Sequence, residues 1–275
     1  ADARARQEFY TGQRSEFLTL SYRRFKALKP EAVFYINLPV TNPAASYTDI
    51  REALTYNDIV GSEGGFLFYG PARKAFLWKP GVRARLLKSI APDRPRVIFM
   101  AADHKPWSWY PNTPVETRLC IASSSANGAS IWWGLHGSTR LLPTPGARAA
   151  ADMVRFLARH EEHYTAARST ARVAVLHSYD TERERGAAVE ASDFYGTGSG
   201  AKQEAGSFAK AFEGFADALC RWSVPWDAVT DLDLSAERLA AYDLLVLPTY
   251  SYLSDHAVAA IRAFVERGGN LDGRT

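Results

Sequence analysis

Glu63 stands between Ser62 and a pair of glycines, Gly64 and Gly65. Glycines let a backbone approach a ligand closely, and a carboxylate so placed can exchange a proton with a glycosidic oxygen. The competing use is structural, an ion pair with Arg73 or Lys74. Further on, Asp103 and His104 are neighbours. They can hold a sugar hydroxyl or begin a metal site, but no third ligand follows at metal spacing, and His160 and His163 recur at i, i+3 without a partner motif. No metal and no cofactor is expected. His136 can line the same mouth as Asp103 and His104 or be an ordinary solvated histidine. Aromatics crowd into Trp107-Ser108-Trp109-Tyr110 and Ile131-Trp132-Trp133. Such rings serve a core, and beside a Pro-rich loop they also stack on the C–H faces of sugars.

Other chemistries find little support. No Gly-x-Ser-x-Gly elbow is present, and neither Cys120 nor Cys220 has a nearby histidine, so both are read as buried thiols. Gly196, Gly198 and Gly200 come too late after the 171–177 segment to cradle a phosphate. His177 ends that segment, where doubly wound folds place ligands.

The elements that must position these residues alternate. Apolar spacing predicts a helix over 13–28 and a buried strand over 32–37, with a second short strand at 58–60. A helix is expected over 72–90, broken at Pro80-Gly81. A strand over 96–101 opens into a long loop, 103–114. Then come a helix over 115–126, a strand over 129–133 and a helix over 147–166. Asn37, Glu63, Asp103, His104 and His136 all follow strands, and the carboxyl ends of parallel strands form the active face of α/β folds. A second series begins with a strand over 171–177 and a long loop over 178–207. It continues with an amphipathic helix over 208–222, strands over 225–229 and 242–248, a Ser254-capped helix to Arg267 and a strand from Asn270.

Of 275 residues, 47% are apolar and 23% charged, enough for two ordinary domains with real cores. The net charge of +3 is scattered, so nucleic acid is not an expected partner. No apolar run reaches membrane-spanning length, so a membrane is not expected either. The opening residues, ADARARQEF, are not those of a signal peptide. That favours a cytoplasmic location, although the start at Ala1 and the stop at Thr275 are both read as cut points.

The ordered set from Phe208-Ala-Lys-Ala-Phe through Pro225-Trp-Asp-Ala-Val, Tyr242-Asp-Leu-Leu-Val-Leu-Pro248 and Phe264-Val-Glu-Arg-Gly-Gly269 resembles the trimerisation domain of family 42 β-galactosidases. That domain has a flavodoxin-like fold akin to class I glutamine amidotransferases. Lys29-Pro30-Glu31-Ala32 to Asn37, Asp58 to Glu63, Asn127-Gly128-Ala129 and Pro143-Thr-Pro-Gly146 are similar to the later part of the (β/α)8 barrel in glycosyl hydrolases distantly related to α-L-fucosidases. The resemblance implies an α/β chain in two parts: 1–168, the C-terminal half of a TIM barrel with its fifth to eighth strands, and 169–275, a flavodoxin-like domain cut before its end. It further implies hydrolysis of a glycosidic bond by two carboxylates. Glu63 would be the acid/base, the nucleophile would lie before Ala1, and Asn37, Asp103, His104, Trp107, Trp109 and His136 would line the sugar site. A carbohydrate is the expected partner, and a homo-oligomer, a trimer, is plausible. Two rivals stay open. One is a barrel that binds carbohydrate or assembles without catalysis. The other is an amidotransferase, which would need a nucleophile where the chain has Pro248-Thr249-Tyr250.

Overall fold

Two parallel sheets share one α-helix, Lys79–Ile90, between them. The computed structural model describes residues 3–41, 43–64, 77–104, 110–135, 139, 142–165, 167–186, 208–232 and 234–273. The first sheet holds strands β1 (Val60–Glu63), β2 (Arg96–Ala101) and β5 (Ser130–Gly134) in that order, all parallel. Successive side chains alternate between sheet faces. Glu63, Phe99 and Trp132 stand abreast on one face, with Gly61 and Val97 beside them. Val60, Ile98 and Met100 point the other way and are fully buried, under helices α3 (Lys79–Ile90) and α4 (Pro114–Ala126).

The expected strand at 32–37 is not a ladder. It makes one parallel bridge, Asn37 to Gly61, and Leu38 donates to the Gly61 carbonyl at 2.8 Å. The preceding backbone N–H groups are taken by side chains: Phe34 donates to Asp58 Oδ2 at 2.7 Å and Ile36 to Asn57 Oδ1 at 2.6 Å. Short polar side chains that capture main-chain groups compete with sheet pairing. The segment still lies along β1 and extends the parallel order by one.

Pro80-Gly81 does not break a helix. It opens α3, where a proline in the first turn loses no hydrogen bond. A Cβ on Gly81 would stand 2.7 Å from Asn127 Nδ2, so the glycine lets α3 and α4 meet. Residues 72–76 of the expected helix lie outside the described residues. Helix 147–166 is two helices, α5 (Pro145–Arg159) and α6 (Glu161–Thr165), parted at His160. The long loop after β2 contains a two-residue antiparallel pair, β3 (Asp103–His104) with β4 (Tyr110–Pro111). The N-terminal helix α1 runs from Ala3 to Leu28, starting earlier than expected.

The second sheet has the order β7 (Trp226–Thr230), β6 (Val173–His177), β8 (Leu244–Leu247), β9 (Asn270–Gly273), again all parallel. Helix α7 (Tyr179–Gly186) opens what the sequence presents as loop. Helices α9 (Ala236–Leu239) and α10 (Asp255–Glu266) pack on one face of this sheet. Helix α8 (Phe208–Arg221) and α3 pack on the other. One apolar cluster runs from Val60 and Ile98 through Val82 and Leu86 of α3 to Phe212, Trp226 and Val246, so a single core joins the two sheets. Arg85 donates to the Trp226 carbonyl at 2.9 Å and Arg238 to the Ser89 carbonyl at 2.7 Å across the same junction. No described helix is long and apolar enough to cross a membrane.

Candidate functional site

Because β1 and β2 are parallel, Glu63 ends one strand and Asp103 and His104 follow the next at the same end of the sheet. Glu63 is half-buried, and its Oε1 accepts a hydrogen bond from Asn37 Nδ2 at 3.2 Å. Asn37 Oδ1 in turn accepts from the Tyr35 hydroxyl at 3.3 Å. Tyr35 and Asn37 are two residues apart on extended chain and so share a side. The relay therefore follows from one parallel bridge beside β1.

Burial, and next the Glu63 charge, push the Tyr35 hydroxyl up to about 12. Tyr35 thus stays a donor throughout the ordinary pH range. Its ring meets Trp132 edge-on with centroids 5.9 Å apart, and Phe99 meets Trp132 at 5.1 Å. Trp132 is 49% exposed. These rings form a partly open aromatic wall on the same sheet face as Glu63. Gly61 makes room for it, since a Cβ there would lie 2.5 Å from Val97 Cγ1 and 2.7 Å from the Tyr35 hydroxyl. Gly134 plays the same part for Phe99, whose Cε2 would lie 2.3 Å from a Cβ.

Positive charge stands at the start of α3. Burial, then the Arg83 charge, push the Lys79 ammonium down to about 8, against the opposing pull of Glu63 and Glu213. Arg83 donates to Thr41 Oγ1 and also feels Glu63. Neither cation, nor Tyr35, nor Gly61 stood out in the sequence. Tyr35 was legible only as every second residue before Asn37, and the cations only as the first turn of a helix that follows Glu63.

Of the expected site residues, the structure joins Asn37 to Glu63. Asp103 is fully buried in β3, opposite Pro111, and the adjoining Asn112 ties the hairpin to β2 by donating from Nδ2 to the Ala101 carbonyl at 2.6 Å. His104 pairs in register with Tyr110. Trp107, Trp109 and His136 lie outside the described residues, as do Arg73 and Lys74.

His177 belongs to the core. It is fully buried, packed against Tyr179 at 4.8 Å and Phe212 at 5.0 Å, and pushed down to about 3 by burial and then by the Arg83 charge. The carboxyl end of the second sheet is closed by its own hydrogen bonds. Asp231 accepts from Ser178 Oγ at 2.5 Å and from the N–H groups of Tyr179 and Asp180 at 2.8 and 3.0 Å, capping α7. Cys120 and Cys220 are both free, and burial pushes the Cys120 thiol up to about 12, away from thiolate chemistry. No group of three metal-ligating side chains occurs among the described residues.

No protein-family model matches the sequence, and no curated protein matches it. Solved structures do. The β-galactosidase of Bacillus circulans sp. alkalophilus superposes with a TM-score of 0.70 at 16% identity, covering 97% of this chain and 39% of that one. The β-galactosidase of the psychrophilic Marinomonas ef1 gives 0.67 at 13% identity, covering 99% and 44%. The α-L-fucosidase isoenzyme 2 of Paenibacillus thiaminolyticus gives 0.62 at 18% identity, covering 95% and 36%. The chain therefore has a glycoside-hydrolase-like fold of mixed α/β type with parallel sheets, and it spans less than half the length of each of these neighbours.

Proposed function

We propose that this chain forms one side of a carbohydrate site of the glycoside-hydrolase kind, with Glu63 as the acid/base. The observation that carries this reading is the half-buried Glu63 carboxylate, held by Asn37 at the carboxyl end of a parallel sheet beside an exposed tryptophan. In a two-carboxylate reaction, one group protonates the leaving oxygen while the other attacks or activates water. Glu63 takes the first role and Asn37 fixes its orientation. Trp132 offers a ring face to a sugar. The segment at Asn37 with β1, β2 and β5 corresponds to strands five to eight of a barrel. The 2-1-3-4 order of the second sheet is that of a flavodoxin-like accessory domain, which can support a trimer. The second carboxylate then belongs to the part of the neighbouring folds that this chain does not span.

The substrates named for the neighbours supply the probes. Methyl β-galactoside or L-fucose should quench the tryptophan fluorescence of the chain saturably, and Trp132→Ala should remove most of that signal. In a longer polypeptide that contains this chain and hydrolyses the matching nitrophenyl glycoside, Glu63→Gln should lower kcat by about 10²- to 10⁴-fold. An unchanged kcat removes Glu63 from the reaction. A second reading is sugar binding without hydrolysis: Asp103, a carboxylate that follows the neighbouring strand, is completely buried and so does not offer Glu63 a second carboxylate. Binding retained in Glu63→Gln, with no hydrolysis by any longer form, selects that reading.

A further inference from the structure

Away from the sheet mouth, a cavity of about 250 Å3 lies between α1, the segment 43–52 and α7. It has room for about eight water molecules at about 30 Å3 each, or for a small organic ion. Glu182, on α7, lines it and is only 8% exposed. Its Oε1 accepts from the Ala44 N–H at 2.9 Å, and the carboxyl makes no further hydrogen bond or ion pair among the described residues. Asp49, also in the wall, caps helix α2 (Ile50–Ala53) through Oδ1 and lies close enough for its charge to act on Glu182.

The cations of the wall are engaged elsewhere. Arg51 pairs with Asp180 at 3.1 Å, and Arg183 divides itself between Asp180 and Glu184 at 3.4 Å each. The Tyr179 hydroxyl donates to the Val40 carbonyl at 2.7 Å, and Gln7 Nε2 to the Ala44 carbonyl at 2.8 Å. Glu8 is met by Arg4 at 3.0 Å, and Glu52 is exposed. Among the described residues, Glu182 and Asp49 are the partly or fully buried carboxyls of the wall that no cation meets.

We propose that this cavity binds a small organic ammonium ion, with Glu182 as its anchor and Asp49 as its second negative charge. A carboxyl held out of water beside a second carboxylate ionises reluctantly unless a cation joins it, and Glu182 is so placed. At neutral pH a proton serves that purpose, since burial and then Asp49 push Glu182 up to about 8. An incoming R–NH3+ takes its place: the ammonium keeps its three hydrogens, the Glu182 carboxyl loses one proton to solvent, and the ion pair replaces the O–H bond. The site stands independently of the reading of Glu63, which lies at the sheet mouth.

Calorimetric titration of the whole chain with butylamine at pH 7 tests it, in two buffers of different ionisation enthalpy. Saturable binding is expected, with a dissociation constant on the order of 1 mM and release of about one proton per amine. The neutral isostere 1-butanol should not bind. Glu182→Gln keeps an acceptor for the Ala44 N–H and should weaken butylamine at least about tenfold. Gly12 lines the cavity and nothing lies within 4 Å of where its Cβ would stand, so Gly12→Leu should fill the space and weaken binding as well without touching the carboxyl. Butylamine that fails to saturate, butanol that binds equally, or an unchanged affinity in either variant would overturn the proposal.

Discussion

At the scale of single residues, the site depends on who orients Glu63. Asn37 can point its amide nitrogen at the carboxylate because its oxygen is held by Tyr35. Tyr35→Phe removes that hold while keeping the ring against Trp132. A neutral hydrogen bond contributes about 1 kcal/mol net, so the fold should survive. The expected change is local: the two side-chain amide protons of Asn37, well separated in a nitrogen–proton NMR spectrum of the native chain, should move toward solvent-like shifts. Unmoved resonances would show that Tyr35 does not position Asn37. Gly61→Ala attacks the same arrangement through sterics. Its Cβ would meet Val97 and Tyr35 well inside contact distance, and overpacking of this kind costs about 1–3 kcal/mol. A lower urea midpoint at unchanged slope should result. The position of Glu63 at a strand end was legible in sequence because glycines and a preceding strand marked it. Tyr35 and Gly61 were not, since their roles come from a register between segments that only folding fixes.

At the scale of elements, the turn that brings α5 back to the sheet end rests on Gly146. A Cβ there would lie 2.2 Å from the Asn112 carbonyl oxygen, which is main chain and cannot swing away. Asn112 is pinned by its N–H to the Ala102 carbonyl at 2.9 Å and by its side chain to Ala101. Gly146→Ala should therefore destabilise by about 2 kcal/mol or more. Nearby Thr113→Ala, which dismantles the capping box with Glu116 at the start of α4, should cost about 1 kcal/mol. Urea unfolding of the two variants checks the order of the effects, and a milder Gly146→Ala would contradict it. The elements themselves were largely readable: β2, β6, β8, α4 and α10 fall within a residue or two of expectation, because each has one clear period and a marked end. The misses have a common cause. Side chains of Asn57 and Asp58 intercept the backbone at 34–36, and Pro80 reads as a breaker or as a helix start depending on where the chain comes from. Local pattern does not say which.

At the scale of the whole molecule, the fold buries two titratable groups, one in the core and one in the cavity wall on α7, on opposite sides of neutrality, and together they shape stability against pH. His177 is depressed to about 3 in the folded chain against 6.5 unfolded. Between those values the unfolded state holds the extra proton, so stability is lost as pH falls. Glu182 is raised to about 8 against 4.5. Between those values the folded state holds the extra proton, so stability is lost as pH rises. Where the two windows overlap, from 4.5 to 6.5, the slopes oppose. Below 4.5 the histidine term acts alone, and above 6.5 the glutamate term does. Each full unit of linkage is worth about 1.4 kcal/mol per pH unit. On the acid side Asp58 adds to the loss: burial would raise it, but hydrogen bonds from Lys26, Phe34 and Tyr22 together hold it below the ordinary carboxylate range. A plateau flanked by two declines is the expected outcome of urea titrations at pH 4, 5.5 and 8. Glu182→Gln should flatten the alkaline decline alone and leave the acid one in place. A variant that still weakens between pH 6.5 and 8 would mean that the buried glutamate does not hold its proton between α7 and the segment at Ala44.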